Sequence, residues 1–173
     1  MMRDQLQQIL ASWDGKATTP LQEAYEIFRG EPAFLDLLIE FSGSKASQRG
    51  ATWLLKHHFD RKGSKLTDDQ SERHLAGLSC FSDWEAKLHF LQYLEHLKLS
   101  EKAEEPLRSL IDPELGSENK FLRAWAHYAL AIHANRFPAH KEYAFRKLTT
   151  ARECETAGAV KVRIRKALEK LGR

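Results

Sequence analysis

The sequence has very little cysteine and no long apolar run, and both shortages narrow the classes of protein it fits. Cys80 and Cys154 are the only cysteines in 173 residues, and neither belongs to a CxxC pair. A disulfide framework and a zinc knuckle are therefore disfavoured, which suits a reducing compartment. No apolar stretch reaches the length of a membrane span or of a signal-peptide core. We expect a cytoplasmic protein with no membrane partner.

Motifs of the common catalytic classes are also missing. The chain contains no GxSxG, no phosphate-binding GxxxxGK[ST], no GxGxxG and no HExxH. Among the eight histidines, His89 lies four residues after Glu85 and His96 two turns farther on, so these three could face one ion. Without a Cys/His cluster of zinc spacing, ordinary surface or groove histidines are the favoured interpretation. We expect a non-enzymatic protein with no cofactor and no metal.

Composition is ordinary for a soluble domain, but the charge is unevenly spread. Hydrophobic residues make up 42% and charged residues 29% of the chain, and the formal net charge is +3. Residues 136–173 hold eleven basic and four acidic side chains, so this segment is +7 and the remainder −4. A basic end can bind phosphate-rich partners. A solvated helical face explains the same residues and is the favoured interpretation.

Apolar spacing and end signals predict helices throughout the chain. Thr67 with Gln70 has the spacing of a capping box, Asp83 is a good helix cap, and Thr19 with Pro20 is expected to cap and open a helix. Val160 to Arg165 alternates like a strand, but over a longer window the apolar residues fit a helix from Gly158 to Leu171. Ten helices are predicted: one ending at Gly15, then 19–30, 32–43, one running to Asp60, 67–78, 83–98, 100–111, 121–136, 139–155 and 158–171. The predicted fold class is all-α.

The segment from Phe121 to Arg136 is apolar around almost its whole circumference. Such a helix needs neighbours on most sides. Arg123 and His127, four residues apart, form its one narrow polar stripe. We therefore expect a central buried helix whose polar stripe belongs to a surface that is used.

Similar segments recur along the chain at a spacing of 35 to 38 residues. They are ATWLLKHHF from Ala51, AKLHFLQYL from Ala86, AWAHYALAI from Ala124 and VRIRKALEKL from Val162. A two-helix period of this length is typical of α-solenoids. The pattern, with a basic residue beside the aligned small one at Lys87, Arg123 and Arg163, resembles HEAT and armadillo-like repeats.

That resemblance implies one domain over residues 1–173, in which 1–30 form N-terminal capping helices and 31–173 form a right-handed α-solenoid of about four hairpins. A non-repetitive helical bundle is the structural alternative.

Aligned polar positions on the second helices of these repeats form the predicted binding surface, because such helices line the concave side of a solenoid. We predict that this surface recognises a protein or peptide, and the competing interpretation is a face that is merely soluble. Its residues are His57, Arg61, Glu85, His89, Gln92, His96, Arg123, His127, Lys161 and Arg165.

A more distant resemblance concerns the alkylation-repair DNA glycosylases, which have a HEAT-like fold with a basic groove. Trp53, Trp84 and Trp125 on the second helices and the basic C-terminal segment invite the comparison. The family's Trp followed four residues later by Asp is not matched, which removes the catalytic carboxylate. The resemblance implies nucleic-acid binding through the basic C-terminal segment as the alternative function.

Overall fold

The computed structural model describes residues 1–172, and within them every regular element is helical. The all-α prediction is confirmed. Short 3₁₀ turns connect several of the helices, at Gly77–Cys80, Leu94–His96, Glu101–Ala103 and Pro138–His140. The α-helices of this range are α1 Met2–Ser12, α2 Thr19–Phe28, α3 Phe34–Ser42, α4 Gln48–Asp60, α5 Asp68–Ala76, α6 Trp84–Tyr93, α7 Glu104–Glu114, α8 Lys120–Arg136, α9 Lys141–Cys154 and α10 Gly158–Lys170.

Side-chain caps start several of the helices where the sequence predicts them. The Thr67 hydroxyl accepts from the Gln70 amide at 3.1 Å, and the Gln70 side chain accepts from the Thr67 amide at 3.0 Å, which completes the capping box of α5. Asp83 Oδ1 accepts from the amides of Glu85 and Ala86 at the start of α6. Thr19 differs from its prediction, because it is the first residue of α2 and makes no side-chain cap.

Helix α6 is shorter than its apolar pattern suggests. It ends at Tyr93, a 3₁₀ turn carries the chain over Leu94–His96, and Leu97 is extended. The predicted end near Lys98 is therefore wrong, and His96 does not lie on α6. The strand-like alternation from Val160 is in contrast fully helical, with Val160, Ile164 and Ala167 buried.

The chain divides into two compact units, the first spanning Met1–Lys98 and the second beginning at Leu99. In the first unit α4 is central, because α1, α2, α3 and α6 all pack against it. The polar interior of this unit is built on His74, which is 1% exposed. The Ser42 hydroxyl donates to the Ile39 carbonyl, so it accepts from His74 Nδ1 at 3.3 Å. His74 Nε2 then accepts from the Tyr93 hydroxyl at 2.7 Å.

In the second unit α8 is central and packs against α7, α9 and α10. Asn119 Oδ1 caps its start by accepting from the amides of Phe121 and Leu122. Its small buried residues, including Ala126, Ala129 and Ala131, allow the neighbouring helices to approach closely. The prediction of a central helix with several neighbours is confirmed, although Phe121 on one of its sides is exposed.

Gly63 occupies a turn where a side chain has no room. Its amide donates to the His58 carbonyl at 2.8 Å, and an added Cβ would overlap the His58 imidazole. That ring is fixed by the Tyr25 hydroxyl at 3.1 Å and the Ser64 carbonyl at 2.9 Å.

We expect Gly63→Ala to lower the free energy of unfolding by about 2 kcal/mol in urea titrations, as overpacking does. Gly30→Ala, where a Cβ meets nothing within 4 Å, is the control and is expected to change it by less than about 0.5 kcal/mol. Equal effects of the two substitutions would contradict this account of the turn.

Candidate functional site

Two residues of the predicted surface line an open groove of the first unit. His57 of α4 and Arg61, at the end of that helix, border a cavity of about 580 Å³ on the side facing α2. Four residues of α2 complete its lining, namely Gln22, Glu23, Glu26 and Ile27. Ile27 is 68% exposed, the highest value among the large internal apolar residues of the described chain. The groove therefore pairs one bare apolar side chain with a polar rim, and we call it the α2–α4 groove.

Aromatic contacts hold His57 in place within this groove. Its ring stacks on Trp53, with 4.9 Å between centroids and 13° between planes, and meets the edge of Tyr25 at 4.9 Å. Partial burial, followed by the nearby charge of Arg61, lowers the pKa of His57 below its ordinary value. The imidazole is therefore neutral at pH 7 and offers one donor and one acceptor nitrogen.

An ion pair closes the rim of the groove. Arg61 Nη2 lies 3.2 Å from Glu26 Oε1, and the guanidinium carbon lies 5.9 Å from the Tyr25 ring centroid. Both charged side chains are about half exposed, so the pair is weakly held and its partners are free to exchange for groups of a ligand. The pair adds polar specificity to the groove more than it adds stability.

Three predicted residues on α6 or in the turn after it contact α4. Glu85 accepts from Arg49 Nη1 at 3.1 Å, His89 Nδ1 lies 3.2 Å from the Thr52 hydroxyl, and His96 stacks on Phe59 at 5.2 Å. Gln92 lies half-buried on α6. These contacts give three of the four predicted residues a role in helix packing, so they do not extend the groove as a free polar row.

Burial affects the protonation of His89 strongly. Desolvation is the main cause, and the charge of Lys56 adds to it, so the pKa of His89 falls from 6.5 to about 4. Thr52 donates its hydroxyl proton to backbone carbonyls of α4, which leaves its oxygen to accept from His89 Nδ1. His89 is therefore a neutral structural side chain at pH 7.

Arg123 and His127 make contacts inside the second unit, and both also border a shallow cavity beside Glu155 and Cys154. Arg123 Nε lies 2.8 Å from Glu155 Oε2, its Nη2 lies 3.2 Å from Glu155 Oε1, and its Nη1 donates to the Ser117 carbonyl at 2.5 Å. His127 is 4% exposed and its Nδ1 donates to the Arg123 carbonyl at 2.8 Å. The polar stripe of α8 thus ties the helix to the turns around it.

A cavity of about 630 Å³ adjoins this buried histidine. His127 lines it together with Leu115, Tyr143, Arg146 and Cys154, among others. Burial is the main reason that the pKa of His127 is lowered, so the ring is neutral at pH 7. Since Nδ1 is used within α8, Nε2 is the nitrogen left for other contacts.

The last two predicted residues, Lys161 and Arg165, are exposed on α10. Arg165 makes a loose pair with Glu169 at 3.9 Å, and both side chains are about two-thirds exposed.

The sequence interpretation missed an aromatic side of α8 that is partly open to solvent. Phe121 is 53% exposed, and Trp125 and Tyr128 are half-buried along the same side of the helix. The guanidinium of Arg163, from α10, lies over Trp125 with its carbon 3.6 Å from the ring centroid. We call these four residues the α8–α10 aromatic face. The i, i+4, i+7 spacing of the three aromatics is visible in the sequence, but on a helix that is apolar nearly all round it indicates burial.

Further properties of residues 1–172 restrict the chemistry to be considered. Within this range no group of three or more His, Cys, Asp or Glu side chains is arranged to hold a metal ion. The same residues include no helix with both the length and the apolar character needed to cross a membrane. Cys80 and Cys154 are both exposed thiols.

Comparison with known proteins leaves the site to be judged on its geometry. No protein-family model, no curated protein and no solved structure matches the chain.

Proposed function

We propose that this protein is a non-enzymatic, HEAT-like binding module of the cytoplasm that recognises a protein or peptide. The α2–α4 groove is the observation that carries the proposal, because two of the residues predicted from sequence line it beside an exposed apolar side chain. Peptide-binding grooves combine an apolar anchor site with a few polar groups that fix orientation.

Repeated helical hairpins are supported by contacts within each unit. Second helices pack side by side, α4 with α6 in the first unit and α8 with α10 in the second. Polar contacts join residues about one repeat apart, as between Arg3 and Glu40, Thr52 and His89, and Arg136 and Glu101. The separations of 37, 37 and 35 residues agree with the spacing of the sequence repeat. Stacked hairpins of this kind are the basis of a solenoid.

The chemistry of the groove defines what partner it suits. Ile27 offers an apolar contact, and the neutral His57 ring on Trp53 extends that contact with a flat aromatic surface. Glu23, Glu26 and Arg61 add charges of both signs at the rim. A short peptide segment with one apolar anchor side chain, flanked by backbone and polar groups, satisfies these features.

Selection from a displayed library of random peptides tests the proposal. We expect enriched peptides to share an apolar anchor and to bind the wild-type chain with a saturable, measurable Kd in calorimetry. Ile27→Gln is expected to weaken them at least about tenfold, because the anchor contact is lost. The substitution lies on an exposed position, so the fold is expected to be unaffected.

Val162→Gln is the matched control, since Val162 is another exposed apolar residue, 44% accessible, on α10 of the second unit. Its peptide affinity is expected to equal that of the wild type. Peptides that bind the Ile27→Gln protein as tightly as the wild type, or a library that yields no saturable binder, would overturn the proposal.

A further inference from the structure

The two units differ in how many of their arginine side chains form an ion pair with a carboxylate. Each arginine of the first unit pairs with a carboxylate: Arg3 with Glu40, Arg29 and Arg61 with Glu26, Arg49 with Glu85, and Arg73 with Asp36 and Asp69. In the second unit Arg108, Arg123 and Arg136 are paired in the same way. Arg146, Arg152 and Arg163 have no carboxylate partner among residues 1–172, and of these three only Arg163 is half-buried and stacked on an aromatic ring. An ordered cation without a counter-charge is suited to an anionic ligand.

Stacking on Trp125 fixes the position of this free guanidinium. Its carbon lies 3.6 Å from the centre of the Trp125 ring and 5.7 Å from that of Tyr128. A stacked guanidinium keeps its N–H donors at its edge, where they can reach a phosphate or a carboxylate. The stack also spares a ligand the entropy of ordering the arginine.

More cations border the α8–α10 aromatic face. Lys120 places its ammonium 5.3 Å from the centroid of Phe121. Lys166 is exposed on α10, three residues after Arg163 and thus on the same side of the helix. Neither lysine has an ion-pair partner within the described range. Arg163, Lys120 and Lys166 therefore lie around aromatic rings that remain partly accessible, and the Lys170 ammonium lies 5.4 Å from the Tyr128 centroid.

We propose that the α8–α10 aromatic face binds single-stranded nucleic acid, independently of the peptide groove. Arg163, Lys166 and Lys120 would neutralise backbone phosphates, and the exposed ring of Phe121 would stack on an unpaired base. Positive grooves with accessible aromatic rings are the usual means of binding single strands, because unpaired bases expose faces that a duplex hides. An acidic peptide supplies the charge but has no base to stack, so the aromatic rings favour a nucleic acid.

Fluorescence anisotropy with labelled oligothymidylate and oligouridylate tests this proposal at low and moderate salt. Both strands are expected to bind, since phosphates and base faces are common to DNA and RNA. With three phosphate contacts, the slope of log K against log salt is expected to be about −2. A duplex of the same length is expected to bind about tenfold more weakly, because its base faces are not available for stacking.

Variants separate stacking from charge. Phe121→Ala is expected to weaken binding about tenfold without changing the salt slope, because only a base stack is lost. Arg163→Ala is expected to weaken binding and to reduce the slope by about 0.7. Arg165→Ala is the matched control: it removes the same charge two residues along, on a side of α10 about 160° away, and is expected to change affinity less than twofold.

Several results would overturn the proposal. They are no binding at low salt, a duplex bound as tightly as a single strand, equal losses for Arg163→Ala and Arg165→Ala, or polyglutamate competing as well as oligonucleotide of equal charge. The last result would instead identify the face as a site for acidic protein segments. Ile27→Gln is expected to leave oligonucleotide binding unchanged, so the peptide proposal and this one can fail separately.

Discussion

Replacing Arg123 with alanine is expected to lower the free energy of unfolding of the second unit by about 3 kcal/mol at pH 7. The side chains of Arg123 and Glu155 are only 20% and 9% exposed, so the substitution leaves a carboxylate largely buried without its counter-charge. It also removes the donor to the Ser117 carbonyl. Against a typical domain stability of about 5–15 kcal/mol, this is a large fraction. Urea unfolding followed by circular dichroism measures the loss, and amide hydrogen exchange locates it in α8–α10.

The loss of unfolding free energy in Arg123→Ala is expected to depend on pH, because it arises from the ion pair of Arg123 with Glu155. The hydrogen bonds from Arg123, followed by those from backbone amides, lower the pKa of Glu155 from 4.5 to about 2. Because the folded-state pKa is the lower one, this stabilisation is complete above pH 4.5 and disappears as the pH falls toward 2. The difference between wild type and Arg123→Ala should therefore narrow over that interval.

Arg165→Ala serves as the control for Arg123→Ala, because its pair with Glu169 is loose and exposed. We expect a change below about 0.5 kcal/mol. If Arg123→Ala lowers the free energy of unfolding no more than the control does, the ion pair between Arg123 and Glu155 does not stabilise the second unit.

The first unit is expected to lose stability in mild acid, with about 3 kcal/mol attributable to His74 between pH 6.5 and 4. Complete burial lowers the pKa of His74 from 6.5 to about 4. As the pH falls through this range the unfolded chain binds a proton that the folded chain rejects, so the stability present above pH 6.5 is lost. His89 shifts in the same direction and adds to the slope.

Urea unfolding at several pH values, compared between wild type and His74→Gln, isolates this contribution. The variant is expected to be less stable at pH 7, since the bonds to Tyr93 and Ser42 are disturbed, but to have a shallower dependence on pH. His96→Gln is the control for replacing an imidazole in this unit, because His96 is exposed.

If His74→Gln does not fold, NMR titration of the histidine imidazoles in the wild-type protein measures the pKa of His74 in the folded state directly. His74 is then expected to remain neutral down to about pH 4 or until the unit unfolds. A His74 signal that titrates near pH 6.5 in the folded protein, or parallel stability curves for wild type and His74→Gln, would contradict this explanation.

Local signals in the sequence predicted most helix starts correctly because the responsible groups are close along the chain. The Thr67–Gln70 capping box spans three residues, and Asp83 caps amides two and three residues away. The end of α6 was missed for the opposite reason. Its apolar residues continue to Leu97, but Leu94 is buried from a 3₁₀ turn and Leu97 from the extended residue that follows it.

Which side of α8 faces solvent could not be predicted from the sequence alone. A helix that is apolar nearly all round gives no indication of which side faces solvent, and the polar stripe was the natural choice. In the structure Arg123 of that stripe is held by Glu155, 32 residues farther along the chain. Phe121 and Trp125, about 160° away around the helix, are left partly exposed. The partner that decides the orientation is distant in sequence and follows no local pattern.

The predicted surface residues that lie on one helix were placed correctly relative to each other, whereas contacts between helices were not predicted. His57 and Arg61 were correctly placed near each other by their four-residue spacing on one helix, and both line the α2–α4 groove. Ile27 was not predicted there, since it lies off the apolar face of α2 and nothing in the sequence shows which helix packs beside it. Only the packing of α2 against α4 shows that its side chain lies outside the core.

Amide NMR spectra of the labelled protein, recorded while an enriched peptide is added, test the peptide-binding proposal most directly. We predict saturable shifts concentrated at Gln22 to Ile27 of α2 and at His57 and Arg61, with none of them in the Ile27→Gln protein. Shifts confined to residues outside the α2–α4 groove, or shifts that persist unchanged in Ile27→Gln, would contradict the claim that this groove is the binding site.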